Sequence, residues 1–360
     1  MDKLRPSMDE DLIKALKMIA PGTLLRESIE NIVRSRHGAL LVFAEEEQIA
    51  PLLSGGIKID IDLKPMILYE VAKMDGAIIL DPTGARIMHA NVQLMPDSRI
   101  ESQETGTRHR TAERVAKQLG VLAISISAAR DVVSVYAGGI RYVMDPLRVV
   151  LSKADQALLT LERFKNRLNQ VAATLTALEF REAVILSDVT SVIQRSEMVL
   201  ALSYLIERYV IELGTEGRLV QMQMEELLAN VREDMTAVLN DYLIDPTPKR
   251  VETAVVELAA LPTDELISME RIAGILGYPP APNMLETHVR PRGCRMLRKI
   301  PRLSGQAVRN VMEHFGDLQG ILEAPVDELA AVEMVGPSRA RDIKEGLDRL
   351  RDLDLLERYG

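Results

Sequence analysis

Apolar residues recur at helical spacing over 9–20 (DEDLIKALKMIA), 24–35, 64–74 (KPMILYEVAKM) and 107–119 (TRHRTAERVAKQL), and each stretch predicts a helix. The Pro21-Gly22 pair stops the first of them. Between these stretches stand short apolar runs that read as buried strands: ALLVF at 39–43, AIIL at 77–80, VLAISI at 121–126, VVSVY at 132–136 and IRYVM at 140–144. Helices and buried strands in alternation predict an α/β domain over 1–145. Ala137-Gly138-Gly139 between the last two runs is a hairpin signal, so the central sheet is expected to be mixed.

After Pro146 the pattern changes. Residues 147–182 contain neither Gly nor Pro and carry Val150, Leu151, Ala154, Leu158, Leu161, Leu168, Val171, Leu175 and Leu178 at helical spacing. More helix is predicted over 187–212 and 217–243, which makes 146–289 an all-helical domain or spine. The breakers DPTPKR (245–250) and GYPPAP (277–282) bound a short helical linker within it. Two later segments, 297–315 and 329–347, share one grammar of helix, small-residue turn and helix. They predict a pair of helix-hairpin-helix units in a third domain, 290–360. The fold class is therefore multidomain, α/β followed by all-α.

A length of 360 residues suits two or three domains. The composition is 47% hydrophobic but only 3% aromatic, with no Trp, so the cores must be aliphatic. Cys294 stands alone, which excludes an internal disulfide and a cysteine-based zinc site and suits a reducing compartment. No apolar run is long enough to span a bilayer, and the charged start MDKLRPSMDEDLIKAL lacks the apolar stretch of a signal peptide. The net charge of -9 argues against a general polyanion binder. Its distribution changes that picture. Arg290, Arg292, Arg295, Arg298, Lys299, Arg302 and Arg309 follow one another with no acid between them, and 290–360 holds 13 basic against 12 acidic residues. A basic stripe on an acidic chain is a directed surface for a polyanion.

Gly106 to Thr111, GTRHRT, places Arg108, His109 and Arg110 at the start of a helix. Basic groups there oppose the helix dipole. The segment reads as a polyphosphate clamp, with both guanidiniums on one side of an extended loop, or else as a solvated basic helix start. Asp75-Gly76-Ala77 stands at a helix-to-strand corner, where Asp75 reads as a metal ligand, a general base or a turn former. The turn Val335-Gly336-Pro337-Ser338 suits backbone contact with a DNA phosphate, assisted by Arg339, Arg341 and Lys344, or plain packing between helices. There is no P-loop, no G-x-G-x-x-G, no H-E-x-x-H and no G-x-S-x-G, and the five histidines show no metal-ligand spacing.

The strings LYEVAKMDGAIIL, ANVQLMPD (90–97), ETGTRHRTAERVAKQ (104–118), IELGTEGRL (211–219) and RGCRMLRKIPRL (292–303) resemble the DisA family of bacterial diadenylate cyclases, DNA integrity scanning proteins. The resemblance runs over nearly the whole length. It implies that two ATP molecules condense to cyclic di-AMP and two pyrophosphates across a face-to-face dimer of cyclase domains within an octamer. It implies that Asp75 binds Mg2+ or Mn2+ and activates a ribose 3′-hydroxyl. Gly76, Ala77, Leu94, Thr107, Arg108, His109, Arg110, Thr111, Ser127 and Arg130 would contact ATP, with Arg108 and Arg110 also catalytic. Arg298, Lys299, Arg302, Gly336, Ser338, Arg339, Arg341 and Lys344 would meet branched or recombination-intermediate DNA, whose binding inhibits the cyclase. A cytoplasmic, nucleoid-associated bacterial protein is implied, with no membrane partner. A chain cut near residue 285 is expected to keep synthesis and lose the inhibition. The other reading is a DNA-binding scaffold whose nucleotide domain senses ATP without making cyclic di-AMP. Two departures stand out: Ala128 and Ala129 replace residues often charged in the family, and Met334 replaces a common Gly, where a Cβ would restrict the turn.

Overall fold

The computed structural model describes residues 10–127 and 132–359. They fall into two units, 10–156 with Ile206–Met222, and Ala157–Leu205 with 223–359.

The first unit contains α1 (Glu10–Met18), α2 (Leu24–Arg34), β1 (Ala39–Phe43), α3 (Glu46–Ile49), β2 (Leu53–Ser54), β3 (Ile57–Asp62), α4 (Pro65–Val71), β4 (Ala77–Leu80), β5 (Arg86–Leu94), α5 (Thr107–Leu119), β6 (Leu122–Ser127), β7 (Val132–Ala137) and β8 (Ile140–Val143). One mixed eight-stranded sheet runs β2-β5-β4-β1-β6-β7-β8, with β3 also on β5. Only β1 and β4 run parallel. One face packs on α1, α2 and α4 through Leu16, Ile29 and Leu68, and the other on α5 through Ala112, Val115 and Ala116. The two-residue turn from β7 to β8 is Gly138-Gly139, both left-handed (φ 55° and 77°), as the twist of a tight hairpin requires.

The hydrophobic pattern does not announce β2, β3 or β5. β3 alternates as IKIDID, but it lies at the sheet margin with little burial. β5 is broken by register shifts, and Asn91 sits left-handed (φ 52°) in one of them. The shift changes faces: Ala90 belongs to the α4 side and Val92 to the α5 side.

The helices that follow are α6 (Leu147–Phe180), α7 (Leu186–Leu213), α8 (Arg218–Leu228), α9 (Val231–Tyr242), α10 (Pro248–Ala260), α11 (Thr263–Leu266), α12 (Met269–Ile275), α13 (Cys294–Leu297), α14 (Gly305–Phe315), α15 (Leu318–Glu323), α16 (Val326–Ala331) and α17 (Gly336–Tyr359). The helix predicted over 217–243 is two, because Asn230 turns left-handed (φ 63°) between them. No helix among the described residues is long and apolar enough to cross a membrane.

The basic run is not one surface. Arg295 is only 5% exposed and its guanidinium pairs with the buried Glu179 carboxylate at the end of α6. Arg292 donates to the carbonyls of Asn240, Asp241 and Ile244. The Asp241 carboxylate accepts from the N–H groups of Cys294 (2.6 Å) and Arg295 (2.9 Å), so a residue of α9 caps α13. Residues just past 285 are also tied in, by Leu186 N–H to the Thr287 carbonyl (2.9 Å) and Val289 N–H to the Val184 carbonyl (3.0 Å). A cut near 285 would therefore strip buried carboxylates of their partners rather than release a separate tail.

The first tail hairpin is α13, a turn with Arg302 left-handed (φ 67°), and α14, so its leading helix ends at Leu297 rather than starting there. The second is α16, a turn, and α17. Met334 occupies that turn at φ 68°, about 49% exposed. The turn thus keeps its left-handed geometry without glycine, at a conformational cost of about 1–2 kcal/mol.

Candidate active site

The register of the sheet gathers one end of several strands. Leu40 pairs with Ala77, Ala39 with Ile126, and Ala77 with Val92. The residues before β1, the corner before β4, and the ends of β5 and β6 therefore share one edge. Gly38, Asp75, Gly76, Leu94 and Ser127 lie along it. Gly76 is left-handed (φ 93°), and a Cβ there would stand 2.7 Å from the Val92 carbonyl oxygen and 2.9 Å from the Asn91 carbonyl carbon. Only glycine lets the corner rest on the β5 bulge, and that contact aims Asp75 outward with its carboxyl fully exposed.

α5 begins beside this edge. Gly106 is its N-cap, with no side-chain cap hydrogen bond and no acid in the first turn among the described residues. The Arg108 guanidinium approaches the Asp75 carboxylate at 3.6 Å. It lies over Gly38, where a Cβ would come within 2.6 Å of one of its nitrogens. Gly38 makes room for Arg108, a role that its place before an apolar run does not reveal.

The structure separates the two guanidiniums of the expected clamp. Arg108 and Arg110 lie within α5, where two residues turn the helix by about 200°. Arg108 faces Asp75, while Arg110 donates to the Glu104 carbonyl oxygen at 3.3 Å. The extended-loop geometry that would align them does not occur. Thr107 is exposed and Thr111 half-buried on the same first turns. Ala77 and Leu94 are buried in the α5-side core, which leaves their backbone, not the Leu94 side chain, available to a nucleotide. Ser127 is half-buried at the end of β6; Arg130, Ala128 and Ala129 lie outside the described residues.

The loop before α5 is strapped to it. Glu113 accepts from the Ser102 hydroxyl (2.5 Å) and the Gln103 N–H, and Arg114 donates to the carbonyls of Ile100 and Ser98. Burial raises the Glu113 carboxyl, but Lys117 and Ser102 outweigh that and hold it below its usual range. The same loop carries Glu104, which accepts from the Tyr136 hydroxyl at 2.8 Å and pairs with Arg141. His109 Nδ1 stands 3.2 Å from the same hydroxyl. Tyr136 and Glu104 join the site only through these contacts; in the sequence they read as strand and loop. No cluster of three or more His, Cys, Asp or Glu able to hold a metal occurs among the described residues.

In the tail, Arg298, Lys299, Arg302, Ser338, Arg339 and Arg341 are exposed, and Gly336 and Lys344 are half-buried. Arg339 donates to the Met334 carbonyl (2.7 Å), Arg341 to that of Pro337 (3.3 Å) and Lys344 to that of Leu322 (2.6 Å).

Residues 26–141 match the family model described as DisA bacterial checkpoint controller nucleotide-binding, and 144–285 match the DisA bacterial checkpoint controller linker region. The chain is 44% identical over 348 residues to the DNA integrity scanning protein DisA of Streptomyces avermitilis, covering 96% of this chain and 93% of that one. The protein of the same name from Carboxydothermus hydrogenoformans is 45% identical, covering 96% and 98%. That of Clostridium botulinum (strain Langeland) is 43% identical, covering 99% and 100%. Among solved structures, DacA from Staphylococcus aureus matches with a TM-score of 0.29 and 24% identity, over 39% of this chain and 91% of that one.

Proposed function

The chain belongs to the DisA family of DNA integrity scanning proteins, diadenylate cyclases and hence nucleotidyltransferases, and from that membership we propose how its own residues work. Two ATP molecules condense to cyclic di-AMP and two pyrophosphates, each 3′-hydroxyl attacking the other nucleotide's α-phosphorus. Each protomer holds one ATP, so two nucleotide domains meet face to face, within an octamer. Residues 1–145 form the catalytic domain, 146–289 the spine and 290–360 the DNA-binding helix-hairpin-helix domain.

The observation that carries this reading is the approach of Asp75 and Arg108 at 3.6 Å beside an uncapped helix N-terminus. The first-turn N–H groups of α5, with Thr107, Arg108, His109 and Thr111, would hold the triphosphate and offset the charge that collects as pyrophosphate departs. Arg110, turned toward Glu104, would contribute by bracing the loop. Gly76, Ala77 and Leu94 would contact the nucleotide through backbone, with Ser127 and Arg130 as further ribose or phosphate contacts. A single exposed carboxylate suits Mg2+ or Mn2+, which takes its other ligands from phosphates and water; Asp75 would hold it. The cation, when bound, supplies Lewis acidity that makes the 3′-hydroxyl a competent nucleophile. The full-length protein incubated with ATP and either cation is expected to yield cyclic di-AMP and pyrophosphate, identified by mass. ATP left intact, or converted only to ADP, would favour a nucleotide-sensing scaffold instead.

We place DNA contact on the exposed groups of the two tail hairpins: Arg298, Lys299 and Arg302 on the first, Gly336, Ser338, Arg339, Arg341 and Lys344 on the second. Branched or recombination-intermediate DNA bound there would inhibit the cyclase, in a cytoplasmic, nucleoid-associated protein. Each phosphate contact releases counterions, so binding weakens with salt. The variant Arg298→Ala/Lys299→Ala/Arg302→Ala is expected to lower the slope of log affinity against log salt by roughly 3, read by titrating junction DNA at several salt concentrations. An unchanged slope would move the contact elsewhere.

A further inference from the structure

Resting on the reading of Arg108 as a triphosphate contact, we propose that Gly38 is a positioning residue for the cyclase reaction: its missing side chain sets where the Arg108 guanidinium stands. The backbone of Gly38 does not itself demand glycine, because its φ lies outside the left-handed region. A glycine leading into a strand otherwise weakens it, and marks a place where another group comes close. Here that group is Arg108. A Cβ at position 38 would stand 2.6 Å from one terminal nitrogen of Arg108 and 3.3 Å from its guanidinium carbon. It would also stand 3.2 Å from the Ile126 carbonyl oxygen.

Which side of this contact gives way decides the consequence. Gly38 runs directly into β1, which is paired on both sides: Leu40 with Ala77 of β4, and Ala39 with Ile126 of β6. All five β1 residues are buried. The strand therefore has little freedom to carry an added methyl group away. Arg108 has that freedom, since the contact is made by the far end of a long side chain that is 44% exposed. A methyl group at position 38 thus displaces the guanidinium and leaves the sheet as it is. The displaced group loses its station 3.6 Å from the Asp75 carboxylate. With it goes the fixed aim of a bidentate donor at a phosphate held beside α5. Lysine supplies the converse case. Its ammonium nitrogen corresponds in chain position to the guanidinium carbon, which the new Cβ would meet at 3.3 Å rather than 2.6 Å. A shorter cation at position 108 should therefore tolerate the methyl group.

The test is a double-mutant cycle in the full-length chain, reading kcat/KM for cyclic di-AMP synthesis, ATP titration and the thermal midpoint. Gly38→Ala is expected to lower kcat/KM by roughly ten- to hundredfold, the scale on which a binding group misplaced by an ångström acts. Its thermal midpoint should stay within about 2 °C of the parent, because the crowding is relieved at a flexible side-chain end. Arg108→Lys is slower on its own account, having lost the planar fork. In that background the same Gly38→Ala change should cost less than about twofold. A role of Gly38 in the sheet alone would cost equally in both backgrounds. Equal losses in the two backgrounds, an unchanged kcat/KM in Gly38→Ala, or a midpoint lowered beyond that margin would overturn the proposal. ATP binding and synthesis that stay normal in Arg108→Ala would instead remove the reading of Arg108 on which it rests.

Discussion

Asp75→Asn is expected to lower cyclic di-AMP synthesis by about a thousandfold, the scale on which a group that activates a nucleophile contributes. Asparagine has the same shape and loses only the charge. Among the described residues the carboxylate makes one long ion pair, with Arg108 at 3.6 Å, and its side chain is fully exposed. Its removal should therefore leave the thermal midpoint nearly unchanged, since exposed pairs contribute little. The corner does not depend on the side chain either, because it is set by Gly76 against the β5 bulge. ATP should still bind, since the groups on α5 remain. A folded, ATP-binding, inactive protein is a narrow outcome, checked by product mass together with nucleotide titration. Ordinary synthesis by purified Asp75→Asn protein would remove the corner from the chemistry. Arg108→Ala is the contrasting change. It should weaken ATP binding as well as slow the reaction, whereas Asp75→Asn leaves binding in place.

How legible these features were in the sequence depended on how local their causes are. β1 and β4 lie at the centre of the sheet, buried on both faces, and ALLVF and AIIL announce them. β5 hides because its bulges break the alternation that defines a strand, and the bulge at Asn91 is also what supports Gly76. Asp75 and Arg108 could be singled out because each conflicts with its surroundings: a carboxylate before a buried strand, a cation at the positive end of a helix. The alignment of Arg108 with Arg110 failed for the opposite reason, since it needed an extended backbone that α5 replaces. Gly38, Tyr136 and Glu104 carry no such conflict. Their importance arises from side chains brought close by the sheet register and by the strapped loop. Met334 was visible as a misfit, and the fold accommodates it in place: the Asn310 amide holds the Glu333 carbonyl at 3.0 Å beside it.

Arg295→Ala should be the most destabilising single change in the tail, costing about 3–5 kcal/mol, because it leaves a buried carboxylate without its partner. Glu179 lies 116 residues earlier in the chain, and its side chain is fully buried. It accepts from Arg295 and from the Tyr242 hydroxyl at 2.8 Å, while Arg295 also donates to Thr176 Oγ1 at 2.8 Å. Burial, and then the nearby charge of Glu179, push the Asp241 carboxyl up to about 7. In the alanine variant nothing replaces the guanidinium, and the urea midpoint should fall sharply. Arg298→Ala, three residues on and exposed, should move it by less than about 0.5 kcal/mol. The triple variant Glu179→Leu/Arg295→Met/Tyr242→Phe removes both charges together with the hydroxyl that would otherwise lose its acceptor, and should regain most of the loss, since apolar packing of similar volume replaces a buried pair at little or no penalty. These outcomes divide the basic run by burial rather than by composition. If Arg295→Ala weakened DNA binding while leaving the urea midpoint beside that of Arg298→Ala, the residue would belong to the surface after all, and the α6–α9–α13 junction would need another keystone.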